Sequence, residues 1–394
     1  MKRLNLAFLV DRPFSARDVS RYGVLEFTQD FNVYVLDLSS MISQRMTPIV
    51  AEGVQKPSDS YRSLQFADKH SLLFFLENTP ISHYIDLLGV GEKCLKIRRK
   101  MDGFNAKRVK FFLGVLPEVD ASKTIYFRLK TGFLKGGFLK RVLGYIARTV
   151  LFQFLEPKVD ISVYSGSICE KRFRPSGERI IWAHSNDYQL FLDLSSEEHH
   201  FGKRKKYAVF LDQNAPSHPD YSFHRNKAPV TAENYYTSMN LFFDSFEEKT
   251  GLEVVIAAHP RTLSRGQLSP WGKRQAIVGK SPLLVRDSAL VLAHYSTAIS
   301  FAVLWRKPIL QLTTREYVKS YRHNMFLSFS KALDLDVVNI DDYQMKEIST
   351  DNLFNFDEIA YAKYTNLFLK SNYSDVNNLW PDVAEKISSN NTLY

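Results

Sequence analysis

The side chains suited to acid–base work and anion binding gather in short stretches, each following or closing an apolar run. Phe210–Asp220, FLDQNAPSHPD, puts Asp212, Gln213, His218 and Asp220 in a loop behind a strand-like segment. A carboxylate in such a loop can serve as general base, or as nucleophile at a sugar carbon. The plainer alternative is a Pro-rich turn with Asp caps. Ile256–Arg261, IAAHPR, ends an apolar run in His259, Pro260 and Arg261. Pro stops a strand, so the imidazole is expected at the sheet edge, where it and the guanidinium can meet phosphate oxygens or a pyrimidine or ribose edge. Ala293–Pro308, AHYSTAISFAVLWRKP, sets Tyr295, Ser296 and Thr297 before an apolar segment. The two hydroxyls are expected to open a helix whose free N–H groups take a phosphate, or to be an ordinary cap. Trp182–Tyr188, WAHSNDY, supplies His184 and Asp187, either a second acid–base pair or a core histidine and a capping Asp.

A further set is cationic. Arg12, Arg17 and Arg21 follow the first apolar run, where an α/β domain receives its ligand, and could meet an acceptor. No G-x-G-x-x-G stands there, so dinucleotide binding is not supported. The chain carries 52 Lys+Arg against 42 Asp+Glu, a formal net charge of +10. Residues 91–150 hold 15 basic and 4 acidic residues, 15 − 4 = +11, and the remainder holds 37 and 38, or −1. The whole excess therefore belongs to one segment. It includes Lys96, Arg98, Arg99 and Lys100 in KIRRK, expected to be exposed. It also includes 131–155, TGFLKGGFLKRVLGYIARTVLFQFL, which reads as a basic amphipathic helix or a core helix with a solvated basic face.

The elements that must position these residues alternate. Leu4–Val10, Val33–Leu38, Ser71–Leu76, Val109–Leu113 and Val159–Tyr164 read as buried strands, with helical stretches between most of them. Arg179–Ala183 closes that half. After a charged stretch the alternation restarts. Tyr207–Leu211, Leu252–Ala257, Leu290–Ala293 and Pro308–Leu312 read as strands, and Thr231–Thr250 as a helix with Gly251 as its C-cap. Strand–helix alternation implies parallel sheets covered on both faces. The expected organisation is a Rossmann-like domain over 1–195, a linker over 196–206, and a second domain over 207–394 ending in a helical tail. Two such domains facing each other would hold a ligand cleft between the carboxyl ends of their sheets.

Several classes are excluded. No run of 18 apolar residues suggests a membrane-spanning helix. Asp11 and Arg12 interrupt Leu6–Val10 too early for a secretory leader. Cys94 and Cys169 cannot make a disulfide scaffold. The expectation is a reduced, cytoplasmic protein, soluble or surface-bound.

The residues also resemble a family. Asp212-Gln213 with Asp220, then His259-Pro260, then Ser296-Thr297, then Lys307-Pro308 occur in the order seen in GT-B glycosyltransferases of bacterial capsule and O-antigen assembly. The likeness is to retaining transferases using CMP-activated ulosonic acids, such as the β-Kdo transferases, and covers roughly residues 205–315. Arg21-Tyr22-Gly23, the Val35–Leu38 strand and His184–Tyr188 look like the first domain of such enzymes. The resemblance implies a GT-B fold of two Rossmann-like domains across a cleft. It implies a CMP-activated Kdo-like or nonulosonic acid donor, bound by Gln213, His259, Pro260, Arg261, Tyr295, Ser296 and Thr297. Asp220 would sit at the anomeric carbon, with Asp187 and His184 as the rival pair. No Asp-x-Asp motif stands in a suitable loop, so neither metal nor cofactor is expected. The implied acceptor is a lipid-linked or oligosaccharide glycan at the inner membrane face, with Arg12, Arg21, Lys96, Arg98, Arg99 and Lys100 toward it or toward anionic lipid. Competing readings are a CDP-glycerol-type glycerophosphotransferase, a UDP-sugar-dependent GT-B transferase and a basic nucleic-acid-binding protein. The last is disfavoured, because no nucleic-acid motif is present and the aromatics lie in apparent core strands.

Overall fold

The structure, a computed structural model of the chain, describes residues 3–42, 59–118, 155–173, 179–196, 206–218, 221, 227–259, 269–342 and 352–389. They fall into two compact units. The first draws on Met1–Val115, Gly132–Asn186 and Lys370–Tyr394, and the second on Leu116–Thr131 and Asp187–Leu369.

Among the described residues, the first unit holds a seven-stranded sheet. Its strands are β1 (Leu4–Val10), β2 (Phe31–Asp37), β3 (Arg62–Gln65), β4 (His83–Asp86), β5 (Lys107–Phe112), β6 (Ile161–Tyr164) and β7 (Arg179–Trp182). Their spatial order is β3-β2-β1-β4-β5-β6-β7, parallel throughout. Strand β1 shows why the sequence reads as an unbroken apolar run. Leu6, Phe8 and Val10 enter one core cluster, while Ala7 and Leu9 enter another. Both faces are covered, so the period-two pattern disappears, as expected of a central parallel strand.

The last helix, Leu379–Ser388, belongs to the first of these clusters through Leu379, Trp380, Val383, Ala384 and Ile387. The sequence reading placed everything after residue 206 in one domain. The tail instead returns to the first unit, because its apolar stripe at 379/380, 383/384 and 387 finds its core there. Trp380 is held close against Gly23, which has φ +62°, and a Cβ at Gly23 would lie 2.1 Å from Trp380 Cγ.

One expected strand is a helix. Lys69–Asn78 is helical, capped by Asp68, whose carboxylate accepts the N–H groups of His70 (2.8 Å) and Ser71 (2.9 Å). Leu72 and Leu76 are buried one turn apart while Phe74 is 70% exposed. The run SLLFFL hides this spacing because its exposed position is also apolar. Strands β3 and β4 were missed for the opposite reason: RSLQ and HYID carry too few apolar residues to stand out.

The second unit holds a six-stranded parallel sheet built from β8 (Tyr207–Leu211), β9 (Glu253–Ala258), β10 (Ala276–Val278), β11 (Leu290–Ala293), β12 (Ile309–Thr313) and β13 (Val337–Asn339). The order is β10-β9-β8-β11-β12-β13. The helix Ala232–Thr250 packs Tyr235, Met239, Phe242, Phe243 and Phe246 into this unit and ends at Gly251 with φ +70°. Phe210 on β8 meets Phe243 at 5.2 Å and Trp271 at 5.4 Å between ring centroids. Full burial of each such ring contributes about 1.5–3 kcal/mol.

Candidate functional site

All strands of the second sheet are parallel, so their carboxyl ends share one edge. The order reverses at the central strand: β9 lies on one side of β8 and β11 on the other. Loops at such a reversal diverge and leave room for a ligand. The loops after β8, β9 and β11 carry Asp212, Gln213, His218, His259, Tyr295, Ser296 and Thr297.

Asp212 ties two of them together. Its Oδ1 accepts the Asn214 N–H at 2.8 Å and its Oδ2 accepts the His259 N–H at 3.1 Å. Asp212 is buried, and Asn214 adopts φ +50° to close the turn. Asp212 is thus an anchor of loop geometry. His259 is brought against His218, ring centroids 5.1 Å apart, and His218 lies 5.9 Å from Tyr221. The Oε1 of Gln213 is buried without a hydrogen-bond partner among the described residues. Pro260, Arg261 and Asp220 lie outside the described residues.

On the other side of β8, His294 follows β11 directly and is fully buried. Its Nδ1–H donates to the Leu312 carbonyl at 2.7 Å and its Nε2 accepts from the Tyr235 hydroxyl at 2.9 Å. Its own carbonyl accepts from Gln311 Nε2 at 3.0 Å. Burial pushes its pKa down to about 4, so the ring is neutral, and with Nδ1–H on the Leu312 carbonyl its Nε2 is left to accept. This locked residue carries Tyr295 and the Ser296–Thr297 turn. Tyr295 stacks edge-on with Tyr317 and Phe326.

The turn differs from expectation. The helix begins at Ile299 with Ala298 as its N-cap, not at Ser296 or Thr297. Ser296 Oγ accepts the Ala298 N–H at 3.2 Å, forming a hydroxyl-led turn ahead of the helix. Thr297 is exposed there. The two hydroxyls therefore stand before a six-residue helix without capping it.

His184 and Asp187 belong to different units and are described by their own contacts. In the first unit, His184 is fully buried, its Nδ1 3.2 Å from the Ser185 carbonyl and its Nε2 3.4 Å from the Asn377 carbonyl. Burial lowers its pKa, against those backbone bonds. In the second unit, the Asp187 carboxylate holds the Ser300 hydroxyl, which also meets the Thr297 carbonyl at 2.8 Å. Asp187 thereby supports the hydroxyl turn. His184 is thus a core histidine, and Asp187 holds a hydroxyl of the turn that carries Ser296 and Thr297.

The cationic residues of the first unit divide. Arg12 is exposed beside Asp11 at 3.5 Å, and Asp11 Oδ2 accepts the Gly89 N–H at 2.8 Å where the strand order reverses between β1 and β4. Arg21 lies over the Tyr22 ring. Lys96 pairs with Glu92 across one exposed turn, Arg99 donates to the Leu155 carbonyl, and Lys100 is exposed. Arg98 overturns the expected exposure of KIRRK. On the helix Glu92–Gly103, it shares the buried face of Cys94, Ile97 and Met101. Its guanidinium bonds Asp86 at 2.8 and 3.2 Å, Glu156 at 2.8 Å, and the carbonyls of Leu88 and Gly89. Arg108 closes the cluster on Asp86 and Glu156. Burial raises the Asp86 pKa, but Arg108 and Arg98 together hold it below the ordinary carboxylate value. The segment 131–154 lies outside the described residues.

Sequence reasoning missed Arg322. Its guanidinium carbon lies 5.1 Å from the Tyr321 ring centroid and 5.9 Å from that of Tyr221. Nothing local announces it; its place depends on the fold bringing the loop after β12 to Tyr221. Among the described residues, no group of three His, Cys, Asp or Glu is placed to hold a metal ion, and no helix is long and apolar enough to cross a membrane.

No family model matches the sequence, and no curated protein does. Solved structures do. A glycotransferase of kitacinnamycin superposes with a TM-score of 0.50 at 9% identity, over 98% of this chain and 99% of that one. The H444N variant of the wall teichoic acid polymerase TagF superposes with a TM-score of 0.51 at 11% identity, over 98% of this chain and 87% of that one. At such identities the likeness establishes the fold: two parallel-sheet α/β units of the GT-B type.

Proposed function

We propose that the protein is a glycosyltransferase that moves a Kdo-like or nonulosonic acid from a CMP-activated donor to a glycan acceptor of a bacterial surface polysaccharide. The observation that carries this reading is the gathering of His218, His259, Tyr295, Ser296 and Thr297 at the carboxyl edge of the second sheet, beside its strand reversal. Imidazoles and hydroxyls there are suited to a monophosphate and a cytidine. The fold shared with two transferases supports the class of reaction.

In this reading, departure of CMP leaves an oxocarbenium-like carbon beside the sugar carboxylate. His259, Ser296 and Thr297 stabilise the leaving phosphate, with Gln213 and Tyr295 lining the donor and Pro260–Arg261 completing the loop. Asp220 serves as nucleophile or base at the anomeric carbon. The reaction needs neither metal nor cofactor. Work takes place at the cytoplasmic side of the membrane, the exposed cations of the first unit meeting anionic lipid.

Incubation with a panel of CMP-sugars should release CMP in the presence of glycan acceptor. Asp220→Ala should abolish transfer while CMP still binds; full turnover by that variant would remove Asp220 from the mechanism. A second reading, transfer of glycerophosphate from CDP-glycerol, is favoured by the match to TagF, a teichoic acid polymerase. Turnover of CDP-glycerol with CMP-sugars left untouched would select it.

A further inference from the structure

Among the described residues, the buried arginines are matched by carboxylates. Arg98 and Arg108 share Asp86 and Glu156, Arg274 meets Asp244 and Glu247, and Arg286 meets Asp287. This follows from electrostatics, since an uncompensated charge withdrawn from water costs several kcal/mol. Arg322 departs from the pattern. It is half-buried between the rings of Tyr221 and Tyr321, yet among the described residues no carboxylate pairs with it. Its Nε is buried without a hydrogen-bond partner, and so is Nδ1 of the adjacent His323.

The rings account for only part of its charge. Cation–π contact uses the flat faces of the guanidinium, whereas its N–H donors lie in the plane and suit the two oxygens of a carboxylate or phosphate. Its position connects it to the loops already described. Tyr221 lies against His218, and His218 against His259. Tyr295, which precedes the Ser296–Thr297 turn, meets Phe326 at 4.9 Å between ring centroids, and Phe326 lies in the first turn of the helix His323–Leu333 that follows Arg322.

We propose that Arg322 is the anion-holding residue of this site, its guanidinium engaging an oxyanion of the donor, either the phosphate or the sugar carboxylate. This rests on the donor reading above but can fail separately from it. A charge-assisted fork of this kind changes affinity by about 10- to 100-fold when removed.

The test compares the wild type with Arg322→Met and Arg322→Lys, each checked for native circular dichroism. Binding of CMP, cytidine and inorganic pyrophosphate is measured by calorimetry, and steady-state kinetics use a CMP-sugar and its carboxyl-reduced counterpart. If the phosphate is held, Arg322→Met erases the preference for CMP over cytidine by at least 10-fold. If the carboxylate is held, that preference survives, but the KM advantage of the acidic donor over its reduced counterpart disappears. Arg322→Lys, which keeps the charge and loses the fork, should fall between wild type and Met. Equal preferences and equal KM ratios in all three proteins would overturn the proposal and leave the CMP donor standing. Conversely, pyrophosphate bound by wild type and not by Arg322→Met, with no cytidine nucleotide bound by either, would keep the anion site and remove CMP. Should Met misfold, the same two ratios measured on Lys decide, unchanged ratios overturning the proposal.

Discussion

Asp212 shows how a carboxylate in a loop of reactive residues can act by geometry alone. Both its oxygens hold backbone N–H groups, one in its own loop and one at His259. Asp212→Ala leaves both amides without that acceptor, at about 1–3 kcal/mol for each one buried. Unfolding should therefore shift to lower denaturant, and CMP affinity should fall, because His259 loses its anchor. Unchanged affinity with reduced stability would confine Asp212 to folding. The sequence showed that Asp212 was important in kind, since Asp-Gln after a strand is readable. It did not show the role, which depends on a partner 47 residues away. Arg98 is a contrasting case. Its spacing to Cys94 and Met101 already put it on the buried face of the helix, and only the basic character of KIRRK obscured this.

Histidines add a pH dependence whose sign can be worked out. Burial lowers the pKa of His83 and His294 from an ordinary 6.5 to about 4, and lowers that of His184 as well. Below the unfolded pKa the unfolded chain takes up protons that the native histidines refuse. Stability is therefore fully present above about pH 6.5 and falls as pH drops toward 4, at up to about 1.4 kcal/mol per pH unit for each histidine. Denaturation at pH 7, 6 and 5 checks the slope, and His294→Gln should flatten it. A stability flat between pH 7 and 5 would mean that these rings take up protons as readily in the native state as in the unfolded chain.

At the level of elements, the most exacting contact joins the turn at Gly23 to the helix Leu379–Ser388. Gly23 combines φ +62° with a tryptophan where its Cβ would be. Gly23→Ala must therefore either shift the backbone or displace Trp380, which also meets Phe27 at 6.4 Å and Phe111 at 5.2 Å. The expected loss is about 2–4 kcal/mol, within the range of strained and overpacked core substitutions. Limited proteolysis should then cut near the tail before the remainder of the first unit. The alternation of strands and helices was legible because central parallel strands are apolar on both faces. The return of the tail was not legible: its stripe at 379/380, 383/384 and 387 states that the helix is buried, not against which sheet.

At the scale of the whole molecule, the net charge is redistributed once burial is known. Residues 91–150 carry +11 against −1 for the remainder, yet Arg98 and Arg108 are neutralised inside the first unit by Asp86 and Glu156. A large part of the rest lies in 119–154, outside the described residues. Among the described ones, Lys93, Lys96, Arg99 and Lys100 are exposed on the helix Glu92–Gly103, Lys93 being tied to the Met41 carbonyl at 2.8 Å and the other three not. Only such residues can meet lipid. A triple change of Lys96, Arg99 and Lys100 to Gln should leave stability within about 0.5 kcal/mol for each site, as solvated positions do. It should weaken binding to vesicles containing anionic lipid by up to about 1 kcal/mol for each cation near the surface. Arg98→Gln makes the opposite prediction. It leaves Asp86 with a reduced set of partners in the core and should cost about 3–5 kcal/mol, with any change in vesicle binding following unfolding. Co-sedimentation at low and physiological salt, run beside thermal unfolding, separates the two. Vesicle binding undiminished in the triple variant would move any membrane contact away from this helix and onto other parts of the chain.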